Sequence, residues 1–472
     1  MNAQRSLENI EELLQEHGQG HLLAFWGQLD ADQRQGLLSQ IESLDLPKID
    51  QWAANCVKKA APVEISHDFA AAESYSPRPV GTEQQSKYAK AVELGKELIS
   101  TGKVGAFVVA GGQGTRLGFD GPKGNLPLSP IKNRTLFQIF ADSIAAVSEK
   151  YQAVCPWYIM TSRLNHGETV KILRSRSYYG LDEKSVFVFQ QGTLPNFGPE
   201  GRILLADKAN IARSPDGHGG SLKALHQSGA LEDMKKRGVE YLSYFQVDNA
   251  LINIFDPLFV GLHVLGNAEM SSKAVMKTGP KEKVGNFCLV DGKVTVVEYS
   301  DLPDELAEKR QSDGSLAFQL GSIAIHIISR SFVEKLNSKG FALPLHRAVK
   351  KIPYINEQGQ PTESDGVKLE SFVFDALPLA SNSMILKTLR NEEFAPTKNA
   401  TGVDSVATTR QMMVARAADW LEWAGTAVPR KPDGSPDCLL EIAPSFALEK
   451  EDLKEKLADV PQIKPGDSIY LA

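Results

Sequence analysis

The chain has 472 residues, 42% hydrophobic and 23% charged, a composition typical of a folded chain with more than one domain. Its formal net charge of -6 and its pI near 5.9 exclude a general nucleic-acid binder, which would present a basic face. A local basic cleft for a small anionic ligand stays compatible with this net charge.

The sequence carries no signal for a membrane or for an oxidising compartment. No apolar run is long enough to span a bilayer, and the polar, acidic start of the chain is unlike a secretory signal. The four cysteines lie far apart without a CxxC pair, which argues against a disulfide framework or a zinc site. We therefore expect a cytoplasmic protein without membrane or nucleic-acid partners, and the sequence leaves the oligomeric state open.

Helical periodicity dominates the first hundred residues. Leu7, Ile10 and Leu14 recur at helical spacing, and a second such pattern runs from Leu37 to Leu44. A further helical segment spans about residues 83–103. We predict an N-terminal helical domain over residues 1–100.

From Val104 onward, short apolar runs alternate with helical patterns. The predicted strands are "VGAFVVA", "PWYIMTS", "SVFVFQQ" and "VEYLSYFQVDN", and the predicted helices are "RTLFQIFADSIAAVSEK" and "GGSLKALHQSGALEDMKKRG". This alternation predicts an α/β domain over residues 101–380 with a Rossmann-like, mixed and mostly parallel, doubly wound sheet. Ligands bind such sheets at the carboxyl ends of the strands.

Later segments predict an antiparallel extension and a smaller last domain. Asp291 and Gly292 lie between two apolar runs, which is a strong signal for a β-hairpin. The stretch "TTRQMMVARAADWLEWAG" predicts a helix, and the chain ends in a short charged helical pattern and a strand. We predict a C-terminal domain over residues 381–472.

The glycine-rich stretch "VVAGGQGTRLGFDGPKG", residues 108–124, joins a predicted strand to a predicted helix. It fails the G-x-G-x-x-G pattern at Leu117, and it fails the P-loop pattern because Gly124 rather than a hydroxyl residue follows Lys123. Glycines still let backbone N–H groups approach an anion closely, and Arg116 and Lys123 add fixed positive charge. The stretch therefore predicts a phosphate-binding loop of another kind.

The loop "AGGQGTRLG" followed by "PKG" resembles the signature of the eukaryotic-type UTP–sugar-1-phosphate uridylyltransferases. The resemblance continues in family order through "QQGTLP", "PDGHGG", "QVDN", "VVEYSDL", "KKIPYI", "GVKLESFVFD" and "EEFAPTKNA", over roughly residues 76–400. It is greatest to the branch of the UDP-N-acetylglucosamine pyrophosphorylases. The resemblance implies the nucleotide-diphospho-sugar transferase type of fold and an enzyme that forms a UDP-sugar and pyrophosphate from UTP and a sugar 1-phosphate.

The resemblance also implies roles for residues of this sequence. The implied catalytic cations are Arg116, Lys123 and Lys398. The implied UTP contacts are Val109, Ala110, Gly111, Gly112, Gln191, Gly217, Asp248 and Lys368. The implied contacts of the sugar phosphate are His218, Glu298, Tyr299, Ser322 and Lys398. Asp248 would also hold Mg²⁺ or Mn²⁺, because phosphate oxygens and waters can complete its coordination shell.

Each of these residues also has a purely structural interpretation. Lysine and arginine side chains are usually solvated at the surface. Asp248 could form an Asx-turn, and Gln191 could be a buried structural amide.

The sugar side departs from the N-acetylglucosamine pattern at three positions. His218 stands where this branch usually has asparagine, and Gln319 and Ser322 stand where it favours two further asparagines. We predict N-acetylglucosamine 1-phosphate as the substrate, with a UDP-glucose, UDP-galactose or broad UDP-sugar pyrophosphorylase as the alternative. A catalytically silent nucleotide-binding relative and a nucleotidyltransferase for another base are further alternatives.

Overall fold

The computed structural model describes residues 7–58 and 69–472. Within these residues the α-helices are α1 (Leu7–Glu16), α2 (Ala31–Glu42), α3 (Leu46–Trp52), α4 (Gly81–Ser100), α5 (Leu136–Tyr151), α6 (His166–Ser175), α7 (Gly220–Gln227), α8 (Ala230–Arg237), α9 (Pro257–Leu265), α10 (Asp304–Ala307), α11 (Arg330–Asn337), α12 (Arg390–Glu393) and α13 (Val406–Ala424). None of the helices in these two ranges has the length and hydropathy needed to cross a bilayer.

The strands of the same residues are β1 (Phe69–Ala71), β2 (Val104–Val109), β3 (Trp157–Thr161), β4 (Val186–Gln190), β5 (Thr193–Pro195), β6 (Leu205–Asp207), β7 (Asn210–Ile211), β8 (Arg213–Pro215), β9 (Tyr241–Gln246), β10 (Met270–Met276), β11 (Asn286–Val290), β12 (Lys293–Val297), β13 (Leu320–Ser329), β14 (His346–Ile355), β15 (Pro361–Glu370), β16 (Ser383–Lys387), β17 (Leu439–Ile442) and β18 (Ser468–Leu471).

The chain packs as two compact units, each made of segments that are separate in the sequence. The first unit draws on Met1–Glu64, Gly192–Ser221 and Leu343–Asp375, and the second on Ile65–Gln191, Leu222–Ala342 and Ala376–Ala472. This grouping differs from three consecutive domains. It arises because distant segments pair directly: Phe197 and Val367 exchange two backbone hydrogen bonds of 2.9 and 2.8 Å.

The first unit buries the apolar stripes of its N-terminal helices. Leu14 of α1 and Leu37 of α2 are fully buried in one cluster with Phe197, Val367 and Leu369. The hairpin of β14 and β15 supplies the last two of these side chains. The helical periodicity of the first residues is therefore the signature of a core that residues far along the chain complete.

The second unit is built on a ten-stranded sheet with the order β1-β11-β13-β9-β2-β3-β4, in which β10 pairs with β13 and β16, and β12 pairs with β11. The strands β9, β2, β3 and β4 pair in parallel. Only β1, β12 and β13 run opposite to the rest of this sheet, so seven of its ten strands (10 − 3) point one way. The predicted α/β class with a mixed, mostly parallel sheet is confirmed.

The local predictions in this unit are confirmed with one exception. Thr135 caps α5 by accepting the N–H of Gln138 at 3.3 Å, and Asp291-Gly292 joins β11 to β12. The single helix predicted for "GGSLKALHQSGALEDMKKRG" is wrong. It is two helices, α7 and α8, because Gly229 adopts φ +81° between them and breaks the helical backbone.

Candidate active site

Four parallel strands of the second unit end side by side, and polar groups follow each of them. The register pairs Val109 at the end of β2 with Gln246 of β9 and with Met160 of β3. It also pairs Thr161 of β3 with Gln190 of β4. The glycine-rich loop, the aspartate after β9 and the glutamine after β4 therefore share one carboxyl edge of the sheet, where α/β proteins bind ligands.

The glycine-rich loop closes on itself. The N–H of Gly114 donates to the carbonyl of Gly121 at 2.9 Å, and the N–H of Lys123 donates to the carbonyl of Gly112 at 3.1 Å. A Cβ placed on Gly112 would lie 3.9 Å from Cδ of Lys123. The fold-back therefore carries the lysine to the first glycines of the loop, although eleven positions (123 − 112) separate them in sequence.

Opposite charges meet at this edge. Nζ of Lys123 lies 3.7 Å from Oδ2 of Asp248, and each side chain is only 13% exposed. Burial lowers the pKa of Lys123, the Asp248 carboxylate opposes that change, and the positive charges of Lys398 and Arg116 lower the pKa further. The structure thus brings the three predicted catalytic cations and the predicted metal ligand into one electrostatic neighbourhood with an excess of positive charge, which suits an anionic ligand.

A second carboxylate, Asp404, belongs to the same neighbourhood and was not among the predicted residues. Burial raises the pKa of Asp404, the Lys398 charge opposes this, and the Asp248 charge adds to it. Its backbone carbonyl accepts the N–H of Lys398 at 2.6 Å, which closes the loop that carries the lysine. The only signal in the sequence is its position six residues (404 − 398) after that lysine.

The backbone of Val109–Gly112 and the amide of Gln191 also come together, as predicted for the uracil contacts. A Cβ on Gly111 would lie 3.1 Å from Oε1 of Gln191 and 3.4 Å from Cβ of Ser162. The backbone N–H of Gln191 donates to the carbonyl of Thr161 at 2.7 Å, which fixes the backbone position from which the side-chain amide extends. Only a glycine at position 111 leaves the Gln191 side chain in contact with the loop backbone.

Two of the predicted sugar contacts meet across Gly285. The N–H of Ser322 donates to the carbonyl of Gly285 at 2.8 Å. A Cβ on Gly285 would lie 3.6 Å from Oε1 of Glu298 and 3.8 Å from Cβ of Ser322. Tyr299, the third, follows Glu298 and is 45% exposed. These polar groups line one small patch of the second unit.

The remaining predicted contacts, Gly217, His218 and Lys368, belong to the first unit. Gly217 has φ +83°, and a Cβ there would lie 2.2 Å from the carbonyl oxygen of Ser371. No side chain fits, because the "PDGHGG" turn lies directly on the backbone that follows β15. Half-buried Lys368 is on β15 itself, so the turn and this lysine are held together.

The protonation state of His218 follows from its contacts. The N–H of Val373 donates to Nδ1 of His218 at 3.1 Å, so Nδ1 carries no proton and Nε2 carries one. Burial, with a smaller contribution from the His346 charge, lowers the pKa of His218 to about 4. The ring of Phe372 stacks on the imidazole with centroids 5.3 Å apart. His218 is therefore a neutral hydrogen-bond donor through Nε2, which suits binding and does not suit a general base.

The comparisons with known proteins agree with these features. The sequence profile of a family described as UTP–glucose-1-phosphate uridylyltransferase matches residues 71–471. Nucleotidyl transfer is thus the class of chemistry of this family. The chain belongs to this family, and it is a UTP–sugar-1-phosphate uridylyltransferase.

Relatives cover nearly the whole chain. "UDP-N-acetylhexosamine pyrophosphorylase-like protein 1" of Homo sapiens is 36% identical over 95% of this chain and 94% of its own length. The "UDP-N-acetylglucosamine pyrophosphorylase" of Saccharomyces cerevisiae is 33% identical over 95% of this chain and 97% of its own. The crystal structure of the Trypanosoma brucei uridine diphosphate N-acetylglucosamine pyrophosphorylase, 24% identical, matches the fold with a TM-score of 0.81 over 99% of both chains.

Proposed function

We propose that the enzyme joins UTP and N-acetylglucosamine 1-phosphate to form UDP-N-acetylglucosamine and pyrophosphate. The observation that carries the reaction is the Lys123–Asp248 pair, which lies among the charges of Arg116 and Lys398 at the carboxyl edge of the sheet. The names of the human and yeast relatives support the N-acetylated sugar.

In the proposed reaction a phosphate oxygen of the sugar 1-phosphate attacks the α-phosphorus of UTP. A new O–P bond forms, and the bond between the α-phosphorus and the bridging oxygen breaks, so that pyrophosphate leaves. The nucleophile is already ionised at neutral pH, and the neutral His218 is therefore not needed as a base. Arg116 and Lys123 neutralise charge on the leaving pyrophosphate, and Lys398 binds the attacking phosphate.

The charged edge fits a divalent cation that is shared with the substrate. Within residues 7–58 and 69–472 no group of three or more His, Cys, Asp or Glu side chains could hold a metal alone. Asp248 offers one carboxylate, and Mg²⁺ characteristically binds one or two carboxylates together with substrate phosphates. We propose Asp248 as the protein ligand for Mg²⁺ or Mn²⁺, which when bound supplies charge neutralisation on the phosphates.

The uridine contacts follow from the same geometry. The backbone of Val109–Gly112 and the Gln191 amide offer donors and acceptors to a uracil edge. Gly217 and Lys368 are further proposed contacts of UTP. The parallel order β9-β2-β3-β4 supports a Rossmann-like, doubly wound class for the sheet, and we propose the cytoplasm as the location.

A second candidate sugar is favoured by a specific observation. Glu298 and Ser322 both lie next to Gly285, and serine is one bond shorter than the asparagine usual in the N-acetylglucosamine branch. With His218 as a neutral donor, glucose or galactose 1-phosphate is the alternative substrate.

A panel of sugar 1-phosphates tests both substrates. The protein is incubated with UTP, Mg²⁺ and each of N-acetylglucosamine, N-acetylgalactosamine, glucose and galactose 1-phosphate, and pyrophosphate release is measured. We expect the highest kcat/KM with N-acetylglucosamine 1-phosphate. A higher value for glucose or galactose would replace the proposed sugar. Tight UTP binding without release from any sugar would contradict transfer itself, and faster reaction with CTP or dTTP would contradict the choice of base.

A further inference from the structure

Asn165 is a buried side chain whose hydrogen bonds serve the glycine-rich loop. It occupies the position before α6, where asparagine ordinarily caps the helix through its own side chain. Here the side chain makes no capping bond. Nδ2 donates instead to the carbonyls of Ala110, at 2.9 Å, and Gly112, at 3.2 Å, and the residue is 0% exposed. The amide therefore spans Gly111 and holds the peptides on both sides of it.

The partners fix the orientation of this amide. Oδ1 of Asn165 accepts the backbone N–H of Ser162 at 2.8 Å, and a backbone N–H can only donate. The two loop carbonyls can only accept, so the nitrogen must face them. With both carbonyls turned toward Asn165, the Gly111 backbone stays in contact with Gln191, where the base is proposed to bind.

Asn249 makes the matching connection on the phosphate side. It follows Asp248 directly and is 3% exposed. Nδ2 donates to the carbonyl of Glu393 at 2.7 Å, and Oδ1 accepts the N–H of Ala395 at 3.0 Å. The N–H of Thr397 then donates to the carbonyl of Asp248 at 2.9 Å. The segment that leads to Lys398 is thus fastened to the strand end that carries Asp248.

A buried ion cluster strengthens this second connection. Lys273, 0% exposed, lies 2.7 Å from a carboxylate oxygen of Asp256 and 2.5 Å from one of Glu393. Thr388 donates to the same Glu393 carboxylate at 2.9 Å. Glu393, whose carbonyl accepts the hydrogen bond from Asn249, is therefore held by both its main chain and its side chain.

We propose that Asn165 and Asn249 are positioning residues with separate duties, an inference that rests on the proposed function. Asn165 sets the backbone that reads the base of UTP. Asn249 sets the metal-binding carboxylate of Asp248 relative to Lys398, where the phosphates react. Both act through the loops that they hold and not by touching the substrate. Their loss should therefore alter different kinetic constants.

Substitution by aspartate keeps the shape and the acceptor oxygen and replaces the donor NH₂ with an oxygen that can carry negative charge, and the alanine variants separate the loss of the donor from the added charge. In Asn165→Asp we expect KM for UTP to rise about tenfold, because a lost pair of buried hydrogen bonds costs roughly that factor. The preference for UTP over CTP should fall by about the same factor. The value of kcat and KM for the sugar phosphate should stay within about threefold of the wild type.

In Asn249→Asp the expected pattern is the converse. Here kcat should fall about a hundredfold, since a small displacement of reacting groups has effects of that size. The Mg²⁺ concentration for half-maximal activity should rise, while the UTP-over-CTP preference stays unchanged. Alanine variants at both positions provide the same comparison should the aspartate variants fail to fold.

Asn337→Asp is the matched control. Nδ2 of Asn337 also donates to two carbonyls, of Leu222 at 3.1 Å and Val333 at 2.8 Å, at the end of α11. This variant should change Tm alone. The proposal is overturned if the Asn165 and Asn249 variants change kcat and every KM in the same proportion, or if their only effect is a lower Tm. Failure of the proposed function is distinct, because wild-type protein would then release no pyrophosphate with any sugar phosphate.

Discussion

The charged edge of the second unit and the "PDGHGG" turn of the first unit use opposite electrostatics. At the edge, Lys123 and Asp248 keep partial exposure, and neighbouring charges shift the pKa of the lysine. In the turn, His218 is half-buried, neutral and held as a single tautomer by Val373. Charge that can be matched to a triphosphate suits the bond-breaking step, whereas a fixed neutral donor suits discrimination among sugars.

The largest expected effect is a loss of turnover after substitution at the charged edge, and its absence would contradict this comparison. Lys123→Ala and Asp248→Ala should each lower kcat by roughly a hundredfold or more, since the first removes a positive charge aimed at developing phosphate charge and the second removes the proposed metal ligand. Circular dichroism melting should show a folded protein in both cases. Lys351→Ala is the control, because that lysine makes only an exposed ion pair with Asp365 and should leave turnover intact. Near-normal turnover of either edge variant would remove that residue from the mechanism.

A smaller effect, on sugar preference, is expected when two neutral side chains proposed to contact the sugar are replaced by other neutral side chains. The double variant His218→Asn and Ser322→Asn should shift the kcat/KM ratio toward N-acetylglucosamine 1-phosphate, over glucose 1-phosphate, by about tenfold. The uridylyl machinery should be unaffected, so KM for UTP serves as the internal control. An unchanged ranking of sugars would show that selectivity resides elsewhere in the protein.

The last expected effect is on stability and not on turnover, and it sharpens the description of the turn. The unfolded chain takes up a proton on His218 near pH 6.5, but the folded protein resists this until about pH 4. Stability is therefore complete above pH 6.5 and falls as the pH drops toward 4, by on the order of 3 kcal/mol. Urea unfolding of wild type and His218→Asn should show a steeper loss of stability with falling pH in the wild type, by this amount.

His263 provides the internal reference for that measurement. Burial lowers the pKa of His263 to about 3, so it adds an acid sensitivity that both proteins share. The difference between the two unfolding curves then reports His218. Parallel curves from pH 7 to pH 4 would contradict a half-buried, neutral His218.

The sequence predicts the strands and the loop because their signals are local. "VGAFVVA" is apolar throughout since β2 is buried on both faces, and Asp291-Gly292 specifies its hairpin without help from the rest of the chain. The family motifs add the candidate residues. Motifs alone cannot give the 3.7 Å separation of Lys123 and Asp248, which depends on how the loop folds back.

What the sequence does not predict depends on distant partners. Asn165 precedes a helix, and local reasoning makes it a cap, yet its Oδ1 accepts the N–H of Ser162 and its Nδ2 donates to the glycine-rich loop. Asp404 becomes relevant only because its segment is fastened near Asp248. In the sequence, Gly229 is compatible with the interior of one helix. In the structure, its positive φ divides α7 from α8.

The discontinuous first unit has a consequence for how the protein is made. Leu14 and Leu37 emerge from the ribosome early, but Val367 and Leu369, which complete their core, come more than three hundred residues later (367 − 37 = 330). At about 5–20 residues per second, this gap lasts roughly 16–66 seconds. Throughout that time the apolar faces of α1 and α2 lack part of their native cover. The nascent N-terminus is therefore a natural client for chaperones until the segment Leu343–Asp375 has been made.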